Sequence, residues 1–226
     1  MCSVIGAVLL EPTKQDFEML GRVFLESKIR GMHATGISYL KGGVIITEKR
    51  SVPADQFPFN FSEYVNEDGN LYMIGHCRYS TSDLEFNQPM HSNNKSIVHN
   101  GVITQELPEF WKQIYGYDCI TKNDSELVLH SDDPLREFSH MSMGVVELYK
   151  DKKLRFYRNG KRPLYLTSIP NGCIITSTAD IANRAQVGGF PVEALMNHYI
   201  TFDEHLAMMI EKVVVADAVD YQHAVC

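Results

Sequence analysis

Cys2 follows Met1 directly and precedes a short apolar run, residues 4–10. Removal of Met1 would leave a single residue that carries both a thiol and a free α-amine. An α-amine titrates at about 7.7–8.0 and a thiol at about 8.5, so the amine can take the thiol proton while the sulfur attacks a carbonyl. The plainer reading of Cys2 is a buried thiol at the start of a strand. Cys2 is therefore a candidate nucleophile whose base lies on the same residue.

Four polar clusters follow at strand ends or loops, where a rigid scaffold can present them. They are residues 30–36, residues 75–81, residues 87–89 with 98–103, and residues 121–127. Arg78 offers paired donors to a carboxylate, and Asp124 offers a negative charge. Asn100 and Gly101 offer neutral N–H donors. Each has an alternative reading: a surface ion pair for Arg78, a helix N-cap for Asp124 and a hairpin turn for Asn100-Gly101.

Taken in order, these clusters resemble the class II glutamine amidotransferases, which belong to the N-terminal-nucleophile hydrolases. The family landmarks are a Cys-Gly-Ile opening, an Arg-Gly-x-Asp-Ser-x-Gly turn, a Gly-His-x-Arg-Tyr/Trp segment, an Asn-Gly pair after a strand, and an Asp within Ser/Thr-Asp-Thr-Glu. Residues 158–164 are similar to a further family stretch, so the resemblance runs from Cys2 to about Ala182. Each landmark alone is weak, but five in the family order are specific.

The resemblance implies that Cys2 attacks the side-chain amide of L-glutamine and that its own α-amine moves the proton. Asn100, through its side chain, and Gly101, through its backbone N–H, would stabilise the oxyanion. Water would then release glutamate. Because the printed chain ends at Cys226 with no room for an acceptor domain, we expect the ammonia to pass to a separate synthase or transferase subunit.

The same resemblance assigns the groups that hold the substrate. Arg78 would bind the α-carboxylate of glutamine, where a planar guanidinium offers paired donors that lysine lacks. Asp124 would pair with the α-ammonium group. Thr81 and the backbone near Tyr79 would complete the site. The resemblance implies neither a cofactor nor a metal.

The chain departs from the family pattern at several positions. Ser3 stands where glycine usually follows the nucleophile, His33 lies in the turn that usually carries aspartate, and Ser125 replaces threonine. These changes bear on glutamine affinity, although none removes a residue with an assigned role. Two alternatives stay open: an N-terminal-cysteine hydrolase of another amide, such as a bile-salt or penicillin-type amidase, and a non-catalytic amidotransferase-like subunit that keeps Met1.

The elements that must position these residues are mainly strands. Strand patterns cover residues 2–10, 71–79, 96–99, 144–149, 154–158, 164–168 and 173–177. Thr13 and Asp16 predict a helix N-cap, and Gly42-Gly43 predicts a hairpin. Further helices are expected at 105–114, 124–129 and 179–184. The pattern predicts an α+β layered domain, and the resemblance implies a four-layer α/β/β/α sandwich of two antiparallel sheets. Residues after about 184 carry no predicted role.

Composition narrows the class of protein. The chain has 226 residues, 44% of them hydrophobic, and a formal net charge of -7, which gives no general attraction to nucleic acid or anionic membranes. Its five cysteines are widely separated and lack the close spacing of zinc or redox motifs. The sequence contains no apolar run of about 18 residues, the length that predicts a membrane span. We expect one domain over residues 1–226 in the cytoplasm, with no metal and with its oligomeric state open.

Overall fold

Two antiparallel sheets form the centre of the molecule. A computed structural model describes residues 1–80 and 85–215. The first sheet contains, in spatial order, β11 (Val192–Glu193), β9 (Tyr165–Ile169), β10 (Gly172–Thr176), β1 (Ser3–Leu9), β4 (Leu71–Arg78), β2 (Ala34–Lys41) and β3 (Val44–Arg50). The second contains β13 (Met208–Lys212), β12 (His198–Phe202), β8 (Leu154–Arg158), β7 (Ser142–Tyr149), β6 (Lys95–Val102) and β5 (Met90–His91). The ladders between these strands are antiparallel.

Helices cover the outer faces of both sheets. Residues of α1 (Lys14–Lys28) and α5 (Ala179–Arg184) pack with the first sheet in one apolar cluster. Residues of α3 (Ser125–His130) and α4 (Pro134–Glu137) pack with the second sheet in another. A third cluster joins the two sheets face to face. The layers therefore follow the order α/β/β/α, which confirms the expected four-layer sandwich of two antiparallel sheets.

Side-chain alternation along β1 sets the direction of the residues at its start. Val4 and Val8 lie in the cluster between the sheets, whereas Ile5 and Leu9 lie in the cluster beneath α1. Successive side chains of a strand point to opposite faces. Cys2 is two residues before Val4 and so shares the face between the sheets.

Local signals explain where the first elements begin and end. Thr13 and Asp16 form a capping box at the start of α1: the Asp16 carboxylate accepts from the Thr13 N–H at 2.7 Å, and the Thr13 hydroxyl accepts from the Asp16 N–H at 3.4 Å. Gly42 and Gly43 both have positive φ and join β2 to β3, as the type I′ turn requires. Both predictions are confirmed.

Two regions differ from the expectation. The helix expected at 105–114 is reduced to a 3-10 turn, Pro108–Phe110, followed by α2 (Trp111–Tyr115). The segment after residue 184, for which no role was predicted, forms β11 to β13 at the edges of the two sheets. Among the helices within residues 1–80 and 85–215, none is long and apolar enough to cross a lipid bilayer.

Candidate active site

A cavity of about 390 Å³ opens at the start of β1 and the ends of β4 and β6, beside the start of α3. This volume lies within the range of about 300–1,000 Å³ that small-molecule sites occupy. Five of the seven predicted site residues line it: Cys2, Arg78, Tyr79, Gly101 and Asp124. The structure therefore brings together residues that are up to 122 positions apart in the sequence, from 2 to 124.

The two remaining predicted residues differ in what can be said of them. Asn100 is not part of the cavity wall, but it precedes Gly101 in β6 and is 4% exposed. Thr81 lies outside the described residues, so its predicted role stays a prediction.

Cys2 is held by the main chain of Tyr79 and the side chain of Arg30. Its thiol donates to the main-chain oxygen of Tyr79 at 3.7 Å, and its own main-chain oxygen accepts from Arg30 Nε at 3.1 Å. Burial raises the pKa of the Cys2 thiol, although the Tyr79 carbonyl contact, the chain amino group, Arg78 and Arg30 act in the opposite direction. A thiol with a raised pKa is protonated at neutral pH, so reaction at this sulfur needs a nearby base.

Asn100 and Gly101 lie inside β6, opposite Gly144 and Met143 of β7. The hairpin-turn reading of this pair is therefore wrong. A Cβ on Gly101, whose φ is +156°, would lie 1.8 Å from the Ser142 main-chain oxygen, so only glycine fits this position.

The side-chain nitrogen of Asn100 has an unusual environment. Nδ2 is buried and has no hydrogen-bond partner within the described part of the chain. An unpaired buried donor costs about 1–3 kcal/mol, which is uncommon in a native protein unless a ligand or water uses the donor.

Arg78 is a buried residue at the end of β4. It is 9% exposed, and its Nη1 donates to the main-chain oxygen of Phe86 at 3.1 Å and to Asn87 Oδ1 at 2.6 Å. These two acceptors fix the orientation of the guanidinium at the cavity wall. A positive charge with a fixed direction suits a carboxylate ligand.

Asp124 also lines the cavity, at the N-cap position of α3. Its side chain makes no capping hydrogen bond to that helix. Instead, Oδ2 accepts from the main-chain N–H of Ile103 at 2.6 Å. Asp124 therefore occupies the N-cap position as the alternative reading expected, but its side chain does not cap the helix. The hydrogen bond from Ile103 holds the carboxylate at the cavity instead.

Two histidines near the motifs have different environments. The main-chain N–H of His99 donates to Gln88 Oε1 at 2.6 Å. Its ring Nδ1 lies 3.0 Å from Ser125 Oγ, and its Nε2 lies 3.3 Å from the Ser142 main-chain oxygen. The main-chain N–H and both ring nitrogens of His99 therefore have partners. His76 lines the cavity as His99 does, but its buried Nε2 has no partner among the described residues. Burial lowers the pKa of His76 to about 3, so its ring is neutral at physiological pH.

The departures from the family pattern are accommodated around the cavity. His33 Nδ1 accepts from the Ser80 N–H at 2.9 Å, and its ring centroid lies 4.9 Å from that of Tyr79. His33 thereby supports the segment whose carbonyl contacts the Cys2 thiol. Ser3 is fully buried and does not belong to the cavity wall, so its side chain does not narrow the cavity.

The chain was compared with family models, curated sequences and solved structures. No protein-family model matches the chain. The glutamine–fructose-6-phosphate aminotransferase (isomerizing) of Sulfurisphaera tokodaii is 24% identical over 190 residues, which cover 77% of this chain and 31% of the relative. The chain therefore spans about a third of the length of this curated relative.

Solved structures share the fold. The glutamine phosphoribosylpyrophosphate (PRPP) amidotransferase from B. subtilis, complexed with ADP and GMP, matches with a TM-score of 0.71 and 18% identity over 93% of this chain and 49% of that one. A structure described as the allosteric regulatory enzyme of purine biosynthesis gives the same values. These likenesses establish the fold. Together with the sequence match and the ordered landmarks, they relate the chain to the class II glutamine amidotransferase domains, such as those of glutamine–fructose-6-phosphate aminotransferase and PRPP amidotransferase.

Proposed function

We propose that this domain, spanning residues 1–226, hydrolyses the side-chain amide of L-glutamine through a thioester on Cys2. The products are glutamate and ammonia. The observation that carries the proposal is that a near-terminal thiol, an oriented guanidinium and a carboxylate all line one cavity: Cys2, Arg78 and Asp124. A free α-amino acid presents a carboxylate and an ammonium group to such a site, with its side chain left for the nucleophile.

The first step requires a base, because burial raises the pKa of the Cys2 thiol. Removal of Met1 makes the α-amine of Cys2 available, and this amine takes the thiol proton as the sulfur bonds to the amide carbon. Arg30 donates to the Cys2 carbonyl at 3.1 Å and holds the residue's main chain while its amine and sulfur react. Because the nucleophile and the base belong to the same residue, no other side chain has to bring the base to the sulfur.

The tetrahedral intermediate carries a negative oxygen that needs fixed donors. Asn100 Nδ2 supplies one of them, and its lack of a partner among the described residues supports this role. The Gly101 N–H supplies the second. Both donors are neutral and held by the β6–β7 ladder, so they need no reorganisation when the charge develops.

Substrate is recognised by charge at its α-carbon. Arg78 binds the α-carboxylate, and its contacts to Phe86 and Asn87 keep it oriented for this purpose. Asp124 binds the α-ammonium, with Thr81 and the Tyr79 main chain completing the site. This pair of opposite charges favours a free amino acid over the bile-salt and penicillin-type amides, which lack an α-ammonium beside an α-carboxylate.

Collapse of the intermediate breaks the C–N bond, and the protonated α-amine returns its proton to the leaving ammonia. Water then adds to the thioester carbonyl: its oxygen joins the acyl group to give glutamate, and a proton returns to the Cys2 sulfur. The domain supplies a nucleophile, a proton shuttle and an oxyanion site, and none of these steps uses a cofactor.

A separate synthase or transferase receives the ammonia in this proposal. Leu107 and Phe110 are 57% and 45% exposed and are close in the chain to the cavity-lining residues Glu106 and Pro108. These two apolar side chains are a contact that the partner could use. A glutaminase rate that is fast without any partner would instead indicate a stand-alone glutaminase.

The four described cysteines are free, which fits the reducing cytoplasm.

The direct test is glutamate release from L-glutamine by the purified chain. We expect activity in the wild type and none in Cys2→Ala, with Cys173→Ala as the control because Cys173 is buried in β10, away from the cavity. Hydrolysis of a penicillin or a bile-salt conjugate in preference to glutamine would contradict the assigned substrate. Full glutaminase activity in Cys2→Ala would contradict the assigned nucleophile.

A further inference from the structure

Three side chains with different ligand atoms lie close together where the first residue of the 119–124 segment meets α3. Cys119, Glu126 and His130 each place one sulfur, oxygen or nitrogen atom within 4.8 Å of the others. They lie outside the cavity wall that contains Cys2. The sequence contains no recognised metal motif at this spacing, so the cluster arises only when the chain folds.

The fold accounts for the meeting of these three groups. Glu126 and His130 are four residues apart on α3 and therefore share one helix face, with His130 Nε2 3.6 Å from Glu126 Oε1. Cys119 comes from the segment before the helix. That segment is fixed to Glu126, whose Oε1 accepts from the Ile120 N–H at 2.9 Å and whose Oε2 accepts from the Thr121 N–H at 2.7 Å.

The spacing suits a small tetrahedral ion. Zinc bonds of about 2.0–2.3 Å keep ligand atoms about 3.3–3.8 Å apart. The ligand atoms here lie within 4.8 Å of one another, so no pair needs to close by more than about 1.5 Å. The His130–Glu126 distance of 3.6 Å already meets this requirement. A thiolate with an imidazole selects zinc over magnesium or calcium, which prefer oxygen ligands.

We propose that Cys119, Glu126 and His130 bind one zinc ion, with water as the fourth ligand. The Cys119 thiol gives up its proton to solvent when the Zn–S bond forms. The imidazole side chain is 37% exposed, which provides the ion with an entry path. The hydrogen bonds from Ile120 and Thr121 orient the carboxylate ligand from behind, as outer-shell partners of metal sites do.

The bound ion would join the 119–124 segment to α3. Lys122, Asn123 and Asp124 of this segment line the cavity, so zinc would stiffen one wall of the candidate active site. This consequence rests on geometry alone, and zinc binding can be measured whether or not the chain hydrolyses glutamine.

The test uses the full chain in a Cys2→Ala background, because a terminal cysteine could itself chelate a metal. After chelator treatment, zinc is titrated in competition with a chromophoric chelator, and cobalt is titrated as a spectroscopic substitute. We expect one equivalent of zinc, a cobalt-thiolate charge-transfer band, and slower amide hydrogen exchange at Ile120 and Thr121 in the zinc-bound chain. Cys119→Ser and His130→Ala should each weaken zinc binding by at least about tenfold, the smallest loss seen for outer-shell changes.

Matched controls separate this site from unspecific binding. Cys173→Ala removes a cysteine from another part of the fold, and His205→Ala removes a histidine whose side chain is 82% exposed. Both should keep the wild-type zinc affinity. Absence of stoichiometric zinc binding, unchanged affinity in folded Cys119→Ser, or zinc binding without slower exchange at residues 120 and 121 would each overturn the proposal.

Discussion

The main-chain N–H of Ile103 donates to Oδ2 of Asp124 at 2.6 Å. This hydrogen bond joins the end of β6, which carries Asn100 and Gly101, to the start of α3. The proposed oxyanion donors and the proposed partner of the substrate ammonium are therefore held in one rigid unit. Such a connection keeps the reacting carbonyl and the recognised α-carbon at a fixed separation.

Asp124→Asn should weaken glutamine binding with little effect on folding. The amide oxygen can still accept from Ile103, but the negative charge opposite the substrate ammonium is lost. A hydrogen bond to a charged group contributes about 1.5–3 kcal/mol, so we expect KM for glutamine to rise about 10- to 100-fold. Steady-state kinetics measure this change. Asp118→Asn is the control, because Asp118 is 76% exposed and lies outside the cavity; an equal effect of both variants would exclude a specific role for Asp124.

Asn100→Ala should separate catalysis from stability. Removal of one oxyanion donor lowers kcat by about 10²–10³-fold. Because Nδ2 has no partner among the described residues, its loss removes no protein hydrogen bond at that atom, and we expect the free energy of unfolding to change by less than about 1 kcal/mol. Kinetics and urea denaturation on the same preparation measure the two quantities. Unchanged kcat together with a large loss of stability would assign Asn100 a structural role only.

Gly101→Ala should destabilise the fold far more than Gly116→Ala. Both glycines have positive φ, but a Cβ at Gly101 would lie 1.8 Å from a backbone oxygen, whereas a Cβ at Gly116 meets nothing within 4 Å. We expect about 1 kcal/mol of destabilisation at Gly116 and more than about 4 kcal/mol at Gly101. Urea denaturation measures both. Similar losses would mean that the β6–β7 ladder can move away from the new methyl group.

His76→Gln should reduce the loss of stability in acid. The folded-state pKa of His76 is about 3 because of burial, against an ordinary value of 6.5. Between these values the unfolded chain binds a proton that the folded chain does not, so stability rises with pH in this window and is lost as pH falls below 6.5. Removal of this group should make the dependence shallower by up to about 1.4 kcal/mol per pH unit.

The measurement is the free energy of unfolding between pH 6.5 and pH 4 for wild type, His76→Gln and the exposed-site control His205→Gln. The control should keep the wild-type slope, because its side chain is 82% exposed. A wild-type slope in His76→Gln would show that this histidine does not remain neutral in the folded protein.

Local sequence patterns predicted the parts of the fold that depend on local chemistry. The capping residues Thr13 and Asp16 and the Gly42-Gly43 turn each act over a few positions, and the structure contains both as expected. The strand β13 was missed because its sequence, Met-Met-Ile-Glu-Lys, does not alternate between apolar and polar side chains. Such alternation identifies a half-buried strand, whereas all five residues of β13 are exposed.

The candidate site was predicted through ordered motifs, not through geometry. The motifs contain Arg78, Asn100 and Asp124, but a motif does not show which of these side chains have hydrogen-bond partners within the protein. The partners that orient Arg78 come from residues 86 and 87, and the unpaired state of Asn100 Nδ2 depends on burial between two sheets. The Cys119, Glu126 and His130 cluster was missed for the same reason, because it needs a loop folded back on a helix.

The sharpest test of Cys2 as a terminal nucleophile is mass spectrometry of the intact chain after incubation with a glutamine-like chloroketone. We expect a chain that lacks Met1 and carries one covalent adduct, with peptide mapping placing the adduct on Cys2 and excess L-glutamine preventing its formation. A chain that keeps Met1, or a Cys2 that stays unmodified while another cysteine reacts, would rule out this nucleophile.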